Sequence, residues 1–234
     1  MSELLDRDVA ARVLSRALAN GGRFAEVFAE RRRGQTLAID ERRIESVQSG
    51  LEEGAGVRVV DGNTTYFAHV DGLEPADLER AAAEAAAALK ADRREPRPLR
   101  AREVAPLPIE RRPEDVPAAR KAEMLRELDE RGRAKGAEIA QLMASYAEAR
   151  REVAVANSDG LFTGDDRTRV RIGAQVVARR DGTVETGAET LGAHRGFELL
   201  EDDPGQIAEQ AAAKSLTLLD AVPAPSGSMP VVVG

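Results

Sequence analysis

Two Asp-Gly dipeptides, Asp61-Gly62 and Asp181-Gly182, each stand between two strand-like segments. They do most to limit what this chain can fold into. Glycine accepts positive φ, so such a dipeptide suits a tight primed turn, and the strands it joins must be antiparallel neighbours. The first turn joins residues 54–60 to 64–70, and the second joins 167–179 to 183–191. In residues 167–179, Val170, Ile172, Ala174, Val176 and Ala178 alternate with Arg169, Arg171, Gln175 and Arg179, the pattern of a half-buried strand. One hairpin falls in each half of the chain, so each half builds an antiparallel sheet.

The flanking segments supply helices. Val9, Val13, Leu14, Ala17 and Leu18 recur at helical spacing, and Gly21 and Gly22 follow where a helix would end in a left-handed residue. Residues 24–30, 36–39 and 43–48 read as further strands, the last two joined by the turn Asp40-Glu41-Arg42, which gives five strands in the first half. A second helix starts near Glu74. Pro75 suits the first helical position, Leu73 and Leu78 have the spacing of a hydrophobic staple, and Leu78, Ala82, Ala85 and Leu89 make a narrow apolar stripe. Pro96, Pro98, Pro106, Pro108 and Pro113 then crowd a charged stretch that reads as a linker or a strap lying on the surface.

Beyond it, residues 117–131 form a helix with Ala118, Ala122, Leu125 and Leu128 on one face. Strands at 139–150 and 152–157 follow, with Ser158-Asp159-Gly160 as a turn before the second hairpin. A closing helix begins at Asp203-Pro204, with Gln206 placed for a near capping box and Ile207, Ala211, Ala212, Leu216 and Leu219 on its apolar face. The expected fold class is α+β, in two consecutive units, each with a mainly antiparallel sheet packed by helices. The expected domains are 1–90, 117–221, a Pro-rich linker or strap at 91–116, and a linker at 222–234. That last segment reads as the start of a truncated carboxy-terminal domain. Val231-Val232-Val233-Gly234 begins an apolar strand there, so the chain reads as cut from a longer one.

Composition removes several functions. Hydrophobic residues are 42% of the chain but aromatics only 3%, so Leu, Val, Ile and Ala must fill the core. A net charge of −7 argues against a nucleic-acid binder, which needs a basic stripe to neutralise phosphates. There is no cysteine, hence no disulfide, thiolate nucleophile or thiolate metal site. Residues 1–6 lack the basic and apolar regions of a signal peptide, and no apolar run is long enough to span a bilayer. The expected location is the cytoplasm, with neither membrane nor nucleic acid as a partner.

The candidate chemistry is thin. The only two histidines, His69 and His194, sit on strands far apart in sequence, and neither has a second ligand at metal-binding spacing. Asp165 and Asp166 are adjacent and read as a loop pair; on a strand they would face opposite ways. Glu185 and Glu189 share a side with nothing to partner them. Ser158 lacks the surroundings of a nucleophile elbow. Gly-Leu-Glu-Glu-Gly-Ala-Gly at 50–56 leads into a strand, where a phosphate loop needs a helix. Arg31-Arg32-Arg33 reads as a solvated hairpin end.

Several segments in order resemble the amino-terminal portion of the TldD/PmbA family of metallopeptidase subunits. They are Phe24-Ala25-Glu26-Val27, Arg43-Ile44-Glu45-Ser46-Val47, Gly54-Ala55-Gly56-Val57-Arg58-Val59 and Asp61-Gly62-Asn63-Thr64-Thr65-Tyr66-Phe67-Ala68. Val155-Ala156-Asn157-Ser158-Asp159-Gly160 with Asp166-Arg167-Thr168-Arg169 is similar to the middle region, and Met229-Pro230-Val231-Val232-Val233-Gly234 to the strand leading into the carboxy-terminal domain. The Asn-Thr-Thr and Asn-Ser-Asp-Gly stretches resemble the TldD side. The resemblance implies a zinc-type peptidase in the full-length protein, with a helix bearing His-Glu and a second His one turn on. It also implies action on unfolded or flexible peptides and pairing with a second family subunit, like or unlike. No such helical motif occurs here, so no catalytic, cofactor-binding or metal residue carries over, and these residues are expected to bind no zinc and to be inactive alone. The rival expectation is a non-catalytic module that binds a partner chain or peptide by strand addition.

Overall fold

The computed structural model describes residues 4–232. Helix α1 (Arg7–Ala17) is capped by Asp6, whose carboxylate accepts from the amides of Asp8 and Val9. Strands β1 (Phe24–Asp40), β2 (Arg43–Asp61) and β3 (Thr64–Asp71) follow as a meander, then α2 (Pro75–Ala86). The short strand β4 (Arg100–Arg102) lies in the proline-rich segment. The second half runs α3 (Ala118–Arg133), β5 (Ile139–Asn157), β6 (Leu161–Arg180), β7 (Thr183–Ala193) and α4 (Gln206–Leu219). Helices and a largely antiparallel sheet make the α+β class expected from the sequence.

The turns behave as their chemistry dictates. Gly62 and Gly182 have φ of 57° and 86°, Asp181 joins Gly182 in the left-handed region, and Glu41 and Arg42 do the same at 46° and 65°. The Asp40 carboxylate accepts from the Glu41 amide, which helps hold the two non-glycine residues there.

The strands are longer than the sequence reading allowed. The five strands expected before α2 are three, because Arg31–Arg33 lies in the middle of β1 and residues 50–56 lie inside β2. In the same way 139–150 and 152–157 are one strand, and Asp165 and Asp166 belong to β6, not to a loop. The two halves share one sheet of order β3-β2-β1-β5-β6-β4, with β7 also on β6. The seam is the antiparallel pairing of β1 with β5, from Glu26 opposite Asn157 to Asp40 opposite Met143.

Two separate hydrophobic cores lie along this sheet. One gathers α1 and α2 over Ala25, Val27 and Ala29 of β1, Val57 and Val59 of β2, and Ala154 and Ala156 of β5. The other gathers α3 and α4 over Leu37 and Ile39 of β1, Leu142, Ala144 and Tyr146 of β5, and Ile172, Ala174 and Val176 of β6. The core residues of β1 are all odd-numbered and those of β5 all even-numbered. Side chains alternate along an unbroken strand, so both helix pairs sit on the same face. From Ala29 to Leu37 the cores are separated by about 26 Å of strand, at ~3.3 Å per residue. In that interval the same face carries Arg31, Arg33 and Gln35 of β1, Glu148, Arg150 and Glu152 of β5, and Asp166 and Thr168 of β6. Only Gln35 and Glu148, at one end of the interval, are met by an α-helix, through Lys121 of α3. Polar side chains fill these positions, and that is why the sequence reads there as a break.

The segment between α2 and α3 is tied down at its start. Leu99 is buried with the first core, Arg97 and Arg100 donate backbone bonds to Ser158 and Gly160, and β4 runs parallel to residues 161–163. From residue 103 to 110 it is mostly exposed and has no regular structure. Val231 and Val232 are exposed and in no strand, and Val233 and Gly234, the rest of the expected strand, lie outside the described residues.

Two measurements check this account. A Cβ at Gly187 would fall 2.1 Å from the Ala211 carbonyl oxygen and 2.6 Å from the Ser215 amide, both backbone atoms of α4. Gly187→Ala should therefore lower urea stability by about 1–3 kcal/mol. Gly50→Ala, where nothing lies within 4 Å, should stay within about 0.5 kcal/mol of the parent. Limited proteolysis should nick first between residues 103 and 110 and spare 99–102. Early cleavage within β1 or β5 would contradict the continuous sheet.

Candidate functional site: a polar cleft between the helix pairs

The polar interval is roofed on one side by α3 and floored by the sheet, leaving a cleft of about 730 Å³. Its lining includes Arg33, Gln35, Leu51, Glu114, Lys121, Glu148, Arg150 and Thr168. A smaller cavity of about 520 Å³ adjoins it across Arg150, bounded by residues 102–106, Glu152, Asp165 and Asp166.

Lys121 is the unexpected member. It lies on α3 one turn before Leu125 and is only 2% exposed. Its ammonium meets the Glu148 carboxylate at 2.5 Å and donates to Gln35 Oε1 at 2.9 Å. The hydroxyl of fully buried Tyr146 donates to the same Glu148 oxygen at 2.5 Å, and the Lys121 ammonium lies 5.5 Å from the Tyr146 ring centre. Burial, then the bond to Glu148, pushes the Tyr146 hydroxyl far above its ordinary pKa, so it stays a donor. A buried charge needs partners to be tolerated, and these four side chains supply them across three elements.

Arg150 organises the other side. It clamps Asp166 in a bidentate pair at 2.9 and 2.8 Å and reaches Glu114 at 3.2 Å and Glu152 at 3.3 Å. The bonds from Arg150 hold the Asp166 carboxyl below its usual range. Arg112 approaches Asp166 at 3.6 Å and keeps one buried guanidinium nitrogen without a hydrogen-bond partner. Thr168, 1% exposed, also has a hydroxyl with no partner.

Most of the residues singled out from the sequence fall elsewhere; Asp166, Arg33, Gly50 and Leu51 are the exceptions. His69 is on β3, exposed and stacked on Phe67 with ring centres 6.1 Å apart. His194 is exposed in a bend just past β7, not on a strand. Glu189 does have a partner: α4 brings Lys214 to within 2.5 Å. Ser158 is nearly buried and accepts from the Ala25 amide at 3.0 Å, pinning the end of β5 to the start of β1, which is a structural duty. Asp165 and Asp166 face opposite ways as strand neighbours must; Asp165 pairs with Arg167 and only Asp166 joins Arg150 at the cleft. Of the basic run, Arg31 pairs with Glu53, while Arg33 lines the cleft.

The sequence reading missed Lys121, Tyr146, Glu148 and Arg150. The signal was present as charge in the wrong register: Lys121 falls on the apolar stripe of α3, and Glu148 and Arg150 continue the inward-facing alternation of Leu142, Ala144 and Tyr146.

A zinc ion does not fit these residues. His69 is on β3 and His194 in the bend past β7, and among the described residues no group of three or more His, Asp or Glu is placed to hold a metal. No helix among the described residues is long and apolar enough to cross a membrane.

Comparison with known proteins adds what geometry does not. The family model for the PmbA/TldA metallopeptidase central domain matches residues 111–219, and that for PmbA/TldA metallopeptidase domain 1 matches residues 25–89. A Haemophilus influenzae protein named metalloprotease TldD homolog is 27% identical over 226 residues, covering 90% of this chain and 46% of that protein. The chain thus spans about half the length of this curated relative. A Thermotoga maritima structure titled as a proposed modulator of a DNA gyrase aligns with a TM-score of 0.73 at 17% identity, over 87% of this chain and 46% of that one. TldE from Thermococcus kodakarensis aligns at 0.64 and 18%, over 83% and 44%. Both show a shared fold.

Stability tests the buried pair. Lys121→Met should cost about 3–5 kcal/mol by leaving Glu148 buried without its cation, and the double change Lys121→Met with Glu148→Gln should recover part of that loss. Additive losses in a double-mutant cycle would show that the two side chains do not interact.

Proposed function

The chain belongs to the PmbA/TldD metallopeptidase family, and from that membership we propose that it forms the amino-terminal and central domains of a TldD-like zinc peptidase subunit. The observation that carries this is the pair of family matches, in order, to 25–89 and 111–219. The proposed domains are 1–90 and 117–221, with 91–116 as a strap between them. The substrates are unfolded or flexible peptides, the partner is a second family subunit, and the setting is the cytoplasm. These residues hold and present peptide and partner, while zinc and hydrolysis belong to residues outside them. The absence of a helical His-Glu…His pattern in the sequence supports that division of labour.

A second reading has one observation in its favour. β3 pairs with β2 only from Gly54 to Asp61, so residues 43–53 of β2 have β1 on one side and no strand on the other among the described residues. Such an edge can accept an added strand from a peptide or partner, which fits a non-catalytic interaction module.

Metal analysis and a peptidase assay test the division of labour, and association with a family subunit separates the two readings. The 234 residues alone should carry no stoichiometric zinc and leave a denatured, flexible peptide uncut, yet should form a complex when co-expressed with a full-length family subunit. One tightly held zinc per chain would overturn the division of labour. Failure to associate with any family subunit would favour the independent module.

A further inference from the structure

The cleft has the makings of an anion site that the proposed function does not assign. Helix α3 starts on it: Pro117 and Ala118 line the cleft, and the helix has no side-chain cap and no acidic residue in its first turn. The Arg120 and Lys121 amides bond back to Pro117, which leaves the amides of Ala118 and Ala119 without a protein acceptor among the described residues. A helix start with free amides carries partial positive charge and favours an oxyanion. By itself that would be any uncapped helix, but three further features converge on it. Thr168 at the floor of the cleft is 99% buried and its hydroxyl has no partner. Arg33 lines the cleft, is exposed, and makes no ion pair among the described residues. The Lys121 ammonium has three N–H donors, of which Glu148 and Gln35 take two.

The cleft also holds carboxylates, and they do not cancel this. Glu148 is engaged by Lys121 and Tyr146, and Glu114 by Arg150, with Arg112 at 3.9 Å. Arg150 itself is matched by Asp166 and Glu152. The lining of the cleft itself sets Arg33, Lys121 and Arg150 against two carboxylates, Glu114 and Glu148, while Asp166 and Glu152 border the adjoining cavity; the groups left without a partner are the two helix amides, the Arg33 guanidinium, the third Lys121 N–H and the Thr168 hydroxyl. All are hydrogen-bond donors, and donors arranged so want acceptor oxygens with negative charge.

We propose that this cleft is an oxyanion site that takes the terminal carboxylate of a peptide, with the α3 amides, Arg33 and Thr168 as its donors. The choice of a peptide rests on the function proposed above; the choice of an oxyanion rests on the donors alone. A volume of about 730 Å³ leaves room for more than an isolated carboxylate.

The test follows the backbone amides of Ala118 and Ala119 by ¹H–¹⁵N NMR at constant ionic strength. The probes are N-acetyl-trialanine with a free carboxylate, the same peptide as its amide, and inorganic phosphate. The free acid should shift both amides, and the amide should bind about tenfold or more weakly, the scale of a hydrogen bond to a charged group. Arg33→Gln and Thr168→Val should each weaken the acid by a similar factor. Thr168→Val removes a buried unpaired hydroxyl from an isosteric side chain, so it should fold at least as well as the parent. Arg32→Gln, one residue along β1 on the opposite face, should change nothing. Equal binding of acid and amide would overturn the oxyanion site while leaving peptide binding in place. Shifts with phosphate but not with the acid would overturn the peptide carboxylate as ligand. Silence at Ala118 and Ala119 with all three probes would overturn the site.

Discussion

Everything in this molecule depends on the pairing of β1 with β5. These strands are far apart in sequence, and their ladder from Glu26–Asn157 to Asp40–Met143 turns two helix-and-sheet units into one body. Either unit alone has a sheet with an open side: β1 would lack a neighbour in the first, β5 in the second. An unpaired inner strand exposes a row of donors and acceptors. The ladder satisfies that row and fixes the register at which the two cores meet. Ser158 locks one end, taking the Ala25 amide through its hydroxyl while its own amide donates to the Ala25 carbonyl.

Because the strands run unbroken through both units, the cores lie on one face of one sheet and the cleft between them follows as geometry. Each helix pair covers one end of the long strands. The middle is left to Arg31, Arg33, Gln35, Glu148, Arg150, Glu152, Asp166 and Thr168. The segment from Leu99 to Arg102 crosses near one end of this region against β6.

The sequence made the helices, the hairpin turns and the α+β class legible, since those follow from local chemistry: the glycines after α1, Pro75 at the start of α2, the two Asp-Gly turns. It made strand length illegible. Hydrophobic alternation marks a strand only where one face is covered, and between Ala29 and Leu37 β1 meets an α-helix only at Gln35, so Arg31-Arg32-Arg33 reads as an end although it is a middle. The cleft was hidden by the same cause. Its residues come from several elements distant in sequence, and only the β1–β5 register brings Gln35 and Glu148 opposite one another and under Lys121. A single helix did carry a hint, since Lys121 breaks the apolar stripe that Leu125 and Leu128 continue, but its partner could not be named without the register.

The Lys121–Glu148–Tyr146–Gln35 network bears on why the cleft is polar at all. Burying an ammonium and a carboxylate costs desolvation that their attraction recovers only when the geometry is good, and an apolar replacement of similar size is often as stable. The first core shows that this sheet can be lined with Ala and Val on the same face. Stability alone therefore gives no reason for charge at the foot of α3. What the charges do give is position. Lys121 is held from two sides, so the first turn of α3 is fixed over the sheet at the edge of the cleft, which Pro117 and Ala118 line. Arg150, held by three carboxylates, fixes the opposite wall beside Thr168. Two polar walls, each tied together by its own ion pairs, leave donors between them whose remaining acceptors are water or a ligand's oxygens. A cleft made this way is preorganised: the ordering of its side chains is a cost met in folding, not in binding.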